Sequence, residues 1–86
     1  MANTKHPMAL RPIFLEYVKS NRIGVTIFLT NGVKLQGYLS WHDGEVLALT
    51  RDGATQLVMI KAIATVMPEQ PVSLANLEEF DAAGNA

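Results

Sequence analysis

The sequence predicts a mainly β fold: one N-terminal α-helix followed by a strongly bent, five-stranded antiparallel sheet that curls like a barrel. Three observations predict it. Apolar residues recur at helical spacing over residues 8–21, and from residue 25 short alternating runs are separated by Asn31-Gly32, Asp43-Gly44 and Asp52-Gly53 at hairpin spacing. Gly37 falls in the middle of the second run, where a missing side chain suits a bend or a close backbone approach.

Leu10, Ile13, Phe14, Tyr17 and Val18 form the apolar stripe of the helix, with Arg11, Glu16 and Lys19 opposite. Pro12 belongs in its first turn, where the missing N–H is not needed, and Arg22-Ile23-Gly24 ends the period. Val25, Ile27 and Leu29 then alternate with Thr26, Phe28 and Thr30 as a half-buried strand. Asn31-Gly32 reads as a tight turn with positive φ at both residues. The second strand sets Val33, Leu35, Leu39 and Trp41 on one side and Lys34, Gln36, Tyr38 and Ser40 on the other. Residues 45–50, 54–60 and 62–67 supply three more strands, and Pro68 stops the last. Residues 8–68 thus read as one domain behind a flexible segment, 1–7. Residues 69–86 read as a mobile acidic tail: Leu74, Leu77 and Phe80 have a weak helical spacing, but Gly84 and Asn85 follow.

A chain of 86 residues buries only a modest fraction of its surface alone, and with no cysteine and no cluster of metal ligands it lacks the usual staples of small domains. Self-association is therefore expected. No apolar run approaches the roughly 18 residues of a membrane span, and the N-terminus has no secretory core, so a cytoplasmic protein is expected. The net charge of −1 taken alone argues against nucleic acid. Its distribution does not. All seven bases precede position 68, against four acids there, while the last eighteen residues hold Glu69, Glu78, Glu79 and Asp81 without a base. Such a tail fits either a solubilising terminus or a competitor of an anionic ligand.

Catalytic chemistry is sparse. His6 lies near the terminus, His42 and Asp43 are adjacent on a turn where side chains point apart, and Asp43 with Glu45 is too few ligands for a metal. No glycine-rich phosphate loop joins a strand to a helix. Neither an enzyme nor a cofactor is expected.

The unbroken run VTIFLTNGVKLQG, followed by W-x-D at Trp41, RDG at Arg51, TQLV at Thr55 and AIATVMP at Ala62, resembles the Hfq family of bacterial RNA chaperones, which has the Sm-like fold. The likeness covers residues 14–68. Its second half diverges: Met59-Ile60-Lys61 stands where the family usually carries Tyr-Lys-His, and His42 and Glu45 stand where two phenylalanines usually flank Asp43.

The resemblance implies a six-membered ring, closed by pairing the last two strands of neighbouring subunits, that acts in post-transcriptional regulation. It implies an A-rich single-stranded RNA face built from Phe28, Gly32, Val33, Lys34, Leu35, Gln36, Gln56 and Thr65. Aromatic rings stack bases without regard to sequence, amides read base edges and lysine answers phosphate. At the pore, Glu45, Ile60 and Lys61 replace the family's aromatic, lysine and histidine, which implies an impaired uridine face that Arg11 and Lys61 serve by charge alone. Lys19 and Arg22 keep part of a basic rim that Ser20 and Asn21 interrupt. The alternative is a structural or regulatory ring subunit that has lost RNA.

Overall fold

The structure, a computed structural model, describes residues 9–84; the segment read as flexible, 1–7, lies outside them. Helix α1 (Leu10–Ser20) leads into strands β1 (Gly24–Leu29), β2 (Lys34–His42), β3 (Val46–Arg51), β4 (Ala54–Met59) and β5 (Ile63–Pro68), with one 3₁₀ turn (Ile60–Ala62) before β5 and helix α2 (Leu74–Ala82) at the end. All five strands form one antiparallel sheet in the order β4-β3-β2-β1-β5. The boundaries of α1 and of the five strands fall within a residue or two of those read from the sequence.

Helix α1 buries Leu15 and Val18 against Val25, Ile27, Leu39, Leu47, Leu49 and Val58 of the sheet. Its end is a left-handed stop. Arg22 adopts φ 54°, and the amides of Arg22 and Ile23 return to the carbonyls of Lys19 and Val18. Ile23, the next residue, drops into the core beside Val18.

Strand β2 has two partners in succession. Residues 34–38 pair with β1, and from Tyr38 onward the strand pairs with β3. The change of partner coincides with Gly37, which sits so close to β3 that a Cβ there would lie 2.7 Å from the backbone oxygen of Thr50. The expected close approach is thus present, and its neighbour is backbone that cannot swing aside.

Three local readings change. The Asn31-Gly32 turn has positive φ only at Gly32, 92°. Asn31 instead accepts the Val33 amide through Oδ1 at 3.0 Å, and the Gly32 amide donates to Leu29, so the loop spans three residues with glycine at its left-handed position. Paired positive φ values occur at Asp52 and Gly53. Trp41, expected beside Leu39 on the inner side, faces out because a bulge at Ser40 lets Leu39 pair with Leu49 but Trp41 with Ala48. The same slip turns His42 inward, where Nε2 lies 3.0 Å from Oε1 of Glu16 on α1.

The largest difference is the tail. Where a mobile segment is read from the sequence, residues 74–82 form α2, which Ser73 opens with a reciprocal capping box: its Oγ accepts the Asn76 amide, and the Asn76 side chain accepts the Ser73 amide. Leu77 is only 3% exposed, and Phe80 meets Tyr17 of α1 edge to face at 5.3 Å. The weak Leu74-Leu77-Phe80 spacing becomes a helix because α1 offers it a second apolar side. Ile13, buried yet outside the sheet-side core, lies on that helix.

The His42 hydrogen bond is the largest influence on Glu16 and, with the Lys19 charge and the Ser20 hydroxyl, holds its carboxyl below the ordinary 4.5 against a smaller opposing effect of burial. A pKa lowered by folding brings stability that is present above the unfolded value and lost as pH falls through the folded one. His42→Ala should therefore lower stability at about pH 6 and flatten its decline toward about pH 3, read as urea midpoints; an equally steep decline would mean that something else holds Glu16. Gly37→Ala should cost about 1–3 kcal/mol in the same measurement, since Thr50 must shift to admit the methyl. Leu77→Ala should cost about 2–4 kcal/mol if α2 is an integral part of the domain, and a loss below about 0.5 kcal/mol would show that it is not.

Candidate nucleic-acid interface

Residues directly opposed across antiparallel strands share a face of the sheet. Phe28 of β1 is opposed by Lys34 of β2 on one side and by Thr65 of β5 on the other. Three residues singled out from the sequence therefore stand in one row, Lys34-Phe28-Thr65, on the side of the sheet away from the core. The next row is Gln36-Thr26-Met67, in which Gln36 Nε2 donates to Thr26 Oγ1 at 3.4 Å. Thr26 and Met67 were not singled out from the sequence, although Thr26 shares the alternation phase of Phe28. Lys34, Gln36 and Thr65 are exposed and Phe28 half-buried, so the row offers one ring edged by a cation and a hydroxyl.

Gly32 and Val33 lie at the turn above that row, both exposed. Leu35 has the opposite phase. It pairs with Ile27 and packs against the core, so it supports the row from beneath. Gln56 is not brought to the row within one chain: it lies on β4, opposed to Leu49, at the opposite edge of the sheet from Thr65.

The other two groups of candidates each meet in a cleft. Arg11, Glu45, Ile60 and Lys61 line a hollow of about 470 Å³ with Met59 and Ile63. The Ile60 amide donates to the Glu45 carbonyl at 2.8 Å, which fixes the backbone of this hollow. Asp43, beside it, accepts the amides of Glu45 and Val46 through Oδ1, and these two bonds hold its carboxyl below the usual range. Lys19 and Arg22 border a larger cleft of about 700 Å³, which they share with Gln36, Tyr38 and Arg51. Tyr38 and Arg51 were passed over in the sequence; the phase Lys34, Gln36, Tyr38 was the available signal for the first, whereas nothing local marks the second.

His42 has its hydrogen bond to Glu16, not to the adjacent Asp43. Among the described residues no three His, Cys, Asp or Glu side chains converge as metal ligands, and no helix is long and apolar enough to cross a membrane.

Comparison with known proteins agrees with the run of residues quoted above. The family model described as Hfq protein matches residues 10–73. The RNA-binding protein Hfq of Methylocella silvestris is 46% identical over 79 residues, which span 92% of this chain and 95% of the relative. That of Rhodospirillum rubrum is 54% identical over 65 residues, 76% of this chain and 78% of the relative. A crystal structure of the pleiotropic translational regulator Hfq superposes with a TM-score of 0.65 at 31% identity, covering 67% of this chain and 97% of that one. Helix, bent sheet, hairpin sequence and relatives together place this chain in the Hfq family, with the Sm-like fold.

Proposed function

We propose that this protein forms a ring that captures A-rich single-stranded RNA on the face carrying Phe28 and acts as an RNA chaperone in post-transcriptional regulation. The observation that carries the reading is the row Lys34-Phe28-Thr65, which joins a stacking surface, a phosphate-binding cation and a hydroxyl on the solvent side of three paired strands. Relatives named RNA-binding protein Hfq, similar over most of their length, support it.

Assembly follows from the edges. Among the described residues strands β4 and β5 each have one partner, and both carry exposed apolar side chains, Leu57 at 69% and also Met59 and Met67. Pairing β4 of one subunit with β5 of the next satisfies both backbones and covers those side chains. It also carries Gln56 to the edge where the neighbour's Thr65 stands, completing the site between subunits, and a hexamer is the number the family suggests. Uridine-rich RNA is disfavoured at the other cleft, where Glu45 repels phosphate and supplies no ring, leaving Arg11 and Lys61 to act by charge alone. Catalysis has no part in this reading, and the cytoplasm is its setting.

Affinities of the assembled protein for oligo-A and oligo-U at two salt concentrations test the reading. A clear preference for oligo-A is expected, weakening with salt, and Phe28→Ala and Gln56→Ala should each reduce it by about tenfold. Unchanged oligo-A affinity in both variants would discard the proposed face.

A further inference from the structure

The hollow of about 470 Å³ beside Glu45 holds three charged side chains, Arg11, Glu45 and Lys61. All three are exposed, and among the described residues none of them takes part in an ion pair. Their surroundings, by contrast, are fixed. Asp43 Oδ1 accepts the Glu45 amide, the Ile60 amide donates to the Glu45 carbonyl, and the Thr30 amide donates to the carbonyl of Ala62, at the end of the 3₁₀ turn that carries Lys61. Ile60 and Ile63 pack against the core and give the hollow an apolar floor. A Cβ at Gly44 would meet nothing within 4 Å, so the space next to Glu45 is open.

These features set requirements on a ligand. An ionised carboxylate only accepts hydrogen bonds, through two oxygens, so Glu45 is best satisfied by two adjacent N–H donors. Arg11 and Lys61 call for an anion, and the isoleucine floor for a flat body with little polarity on its face. The bases differ along their hydrogen-bonding edges, which is where single-stranded nucleotides are read. Guanine places its N1–H next to its N2 amino group, two donors side by side that match a carboxylate. Uracil has one N–H flanked by two carbonyl oxygens, which a carboxylate repels, and in adenine and cytosine the amino group adjoins a ring nitrogen that accepts. The carboxylate that turns away uracil is thus the group that suits guanine.

We propose that this hollow is a guanine-nucleotide site, in which Glu45 accepts the N1–H and N2–H of the base, Ile60 and Ile63 support its face, and Arg11 and Lys61 hold the phosphate. Glu45 is then the residue that sets specificity. A free guanine nucleotide and a guanosine within single-stranded RNA present the same chemistry. The inference rests on the reading that this hollow disfavours uridine-rich RNA, and it is independent of the A-rich face.

Calorimetric titration of the assembled protein with the monophosphates of guanosine, inosine and uridine, and with guanosine itself, tests it. Inosine lacks the N2 amino group, so its monophosphate should bind about tenfold more weakly than that of guanosine, and uridine monophosphate more weakly still. Glu45→Gln, which leaves one accepting oxygen, should bring the guanosine and inosine monophosphates within about twofold of each other. The double variant Arg11→Ala with Lys61→Ala should lower the affinity for guanosine monophosphate to that for guanosine while keeping the preference over inosine. Thermal unfolding of each variant checks that the fold persists. A short mixed-sequence strand with a single guanosine, set against the same strand with inosine, separates the sources: a preference in the strand alone assigns the site to RNA, one in the monophosphates to free nucleotide, and either supports the site. Equal binding of guanine and hypoxanthine in both forms, or a preference that survives Glu45→Gln, overturns the guanine site alone. Uridine monophosphate bound as tightly as guanosine monophosphate overturns the reading of the hollow as well.

Discussion

The change of partner in β2 governs the rest of the molecule. A nine-residue strand that pairs first with β1 and then with β3 cannot remain flat, because its two partners lie on different parts of a curling surface. Gly37 lets β2 approach the Thr50 carbonyl where the partners change, and the bulge at Ser40 then rotates the strand's remaining side chains by half a turn. One short sheet thereby wraps the core made by Val25, Ile27, Leu39, Leu47, Leu49 and Val58, which a single helix closes. The same bend separates two outward surfaces, one around Phe28 and one around Tyr38, that a flat strand would merge.

The polar groups follow this geometry. Strand β1 is the central member of the Lys34-Phe28-Thr65 row, so the row is held by hydrogen bonds on both sides and needs no loop to position it. Several further charges gather at the ends of elements. Arg22 follows the end of α1, Arg51 ends β3 with Asp52 in the turn after it, and Glu45 lies in the turn that Asp43 organises through two backbone amides. A rigid sheet that presents stacking and hydrogen-bonding groups, with cations at its margins, matches the division of labour in single-strand recognition.

Helix α2 changes the character of the tail. The acidic residues Glu78 and Glu79 stay exposed, but Leu77 and Phe80 tie the segment to α1, so its negative charge has a fixed position. Helix α1 consequently has three neighbours: the core on one side, α2 on another, and β2 through the bond from His42 to Glu16. Each adds buried contact to a domain too small to be generous with it.

The sequence by itself determined the elements and their order. Alternation at 25–29, the Asp-Gly and Asn-Gly punctuation and the glycine at 37 are local signals, and hairpin spacing converts them directly into antiparallel neighbours. It also marked Phe28, Lys34 and Gln36 as one outward set, because period two fixes the face of every residue in a regular strand. What it could not decide depended on groups distant in the chain. Trp41 faces out because pairing with β3 slips at Ser40; α2 docks where Phe80 meets Tyr17 of α1; Arg51 and Arg22 come to one cleft because the end of β3 and the end of α1 border it. Gln56 shows the limit most plainly, since even the folded chain leaves it at the far edge from Thr65. Local periodicity sets which way a side chain points, whereas only the closed sheet sets what it points at.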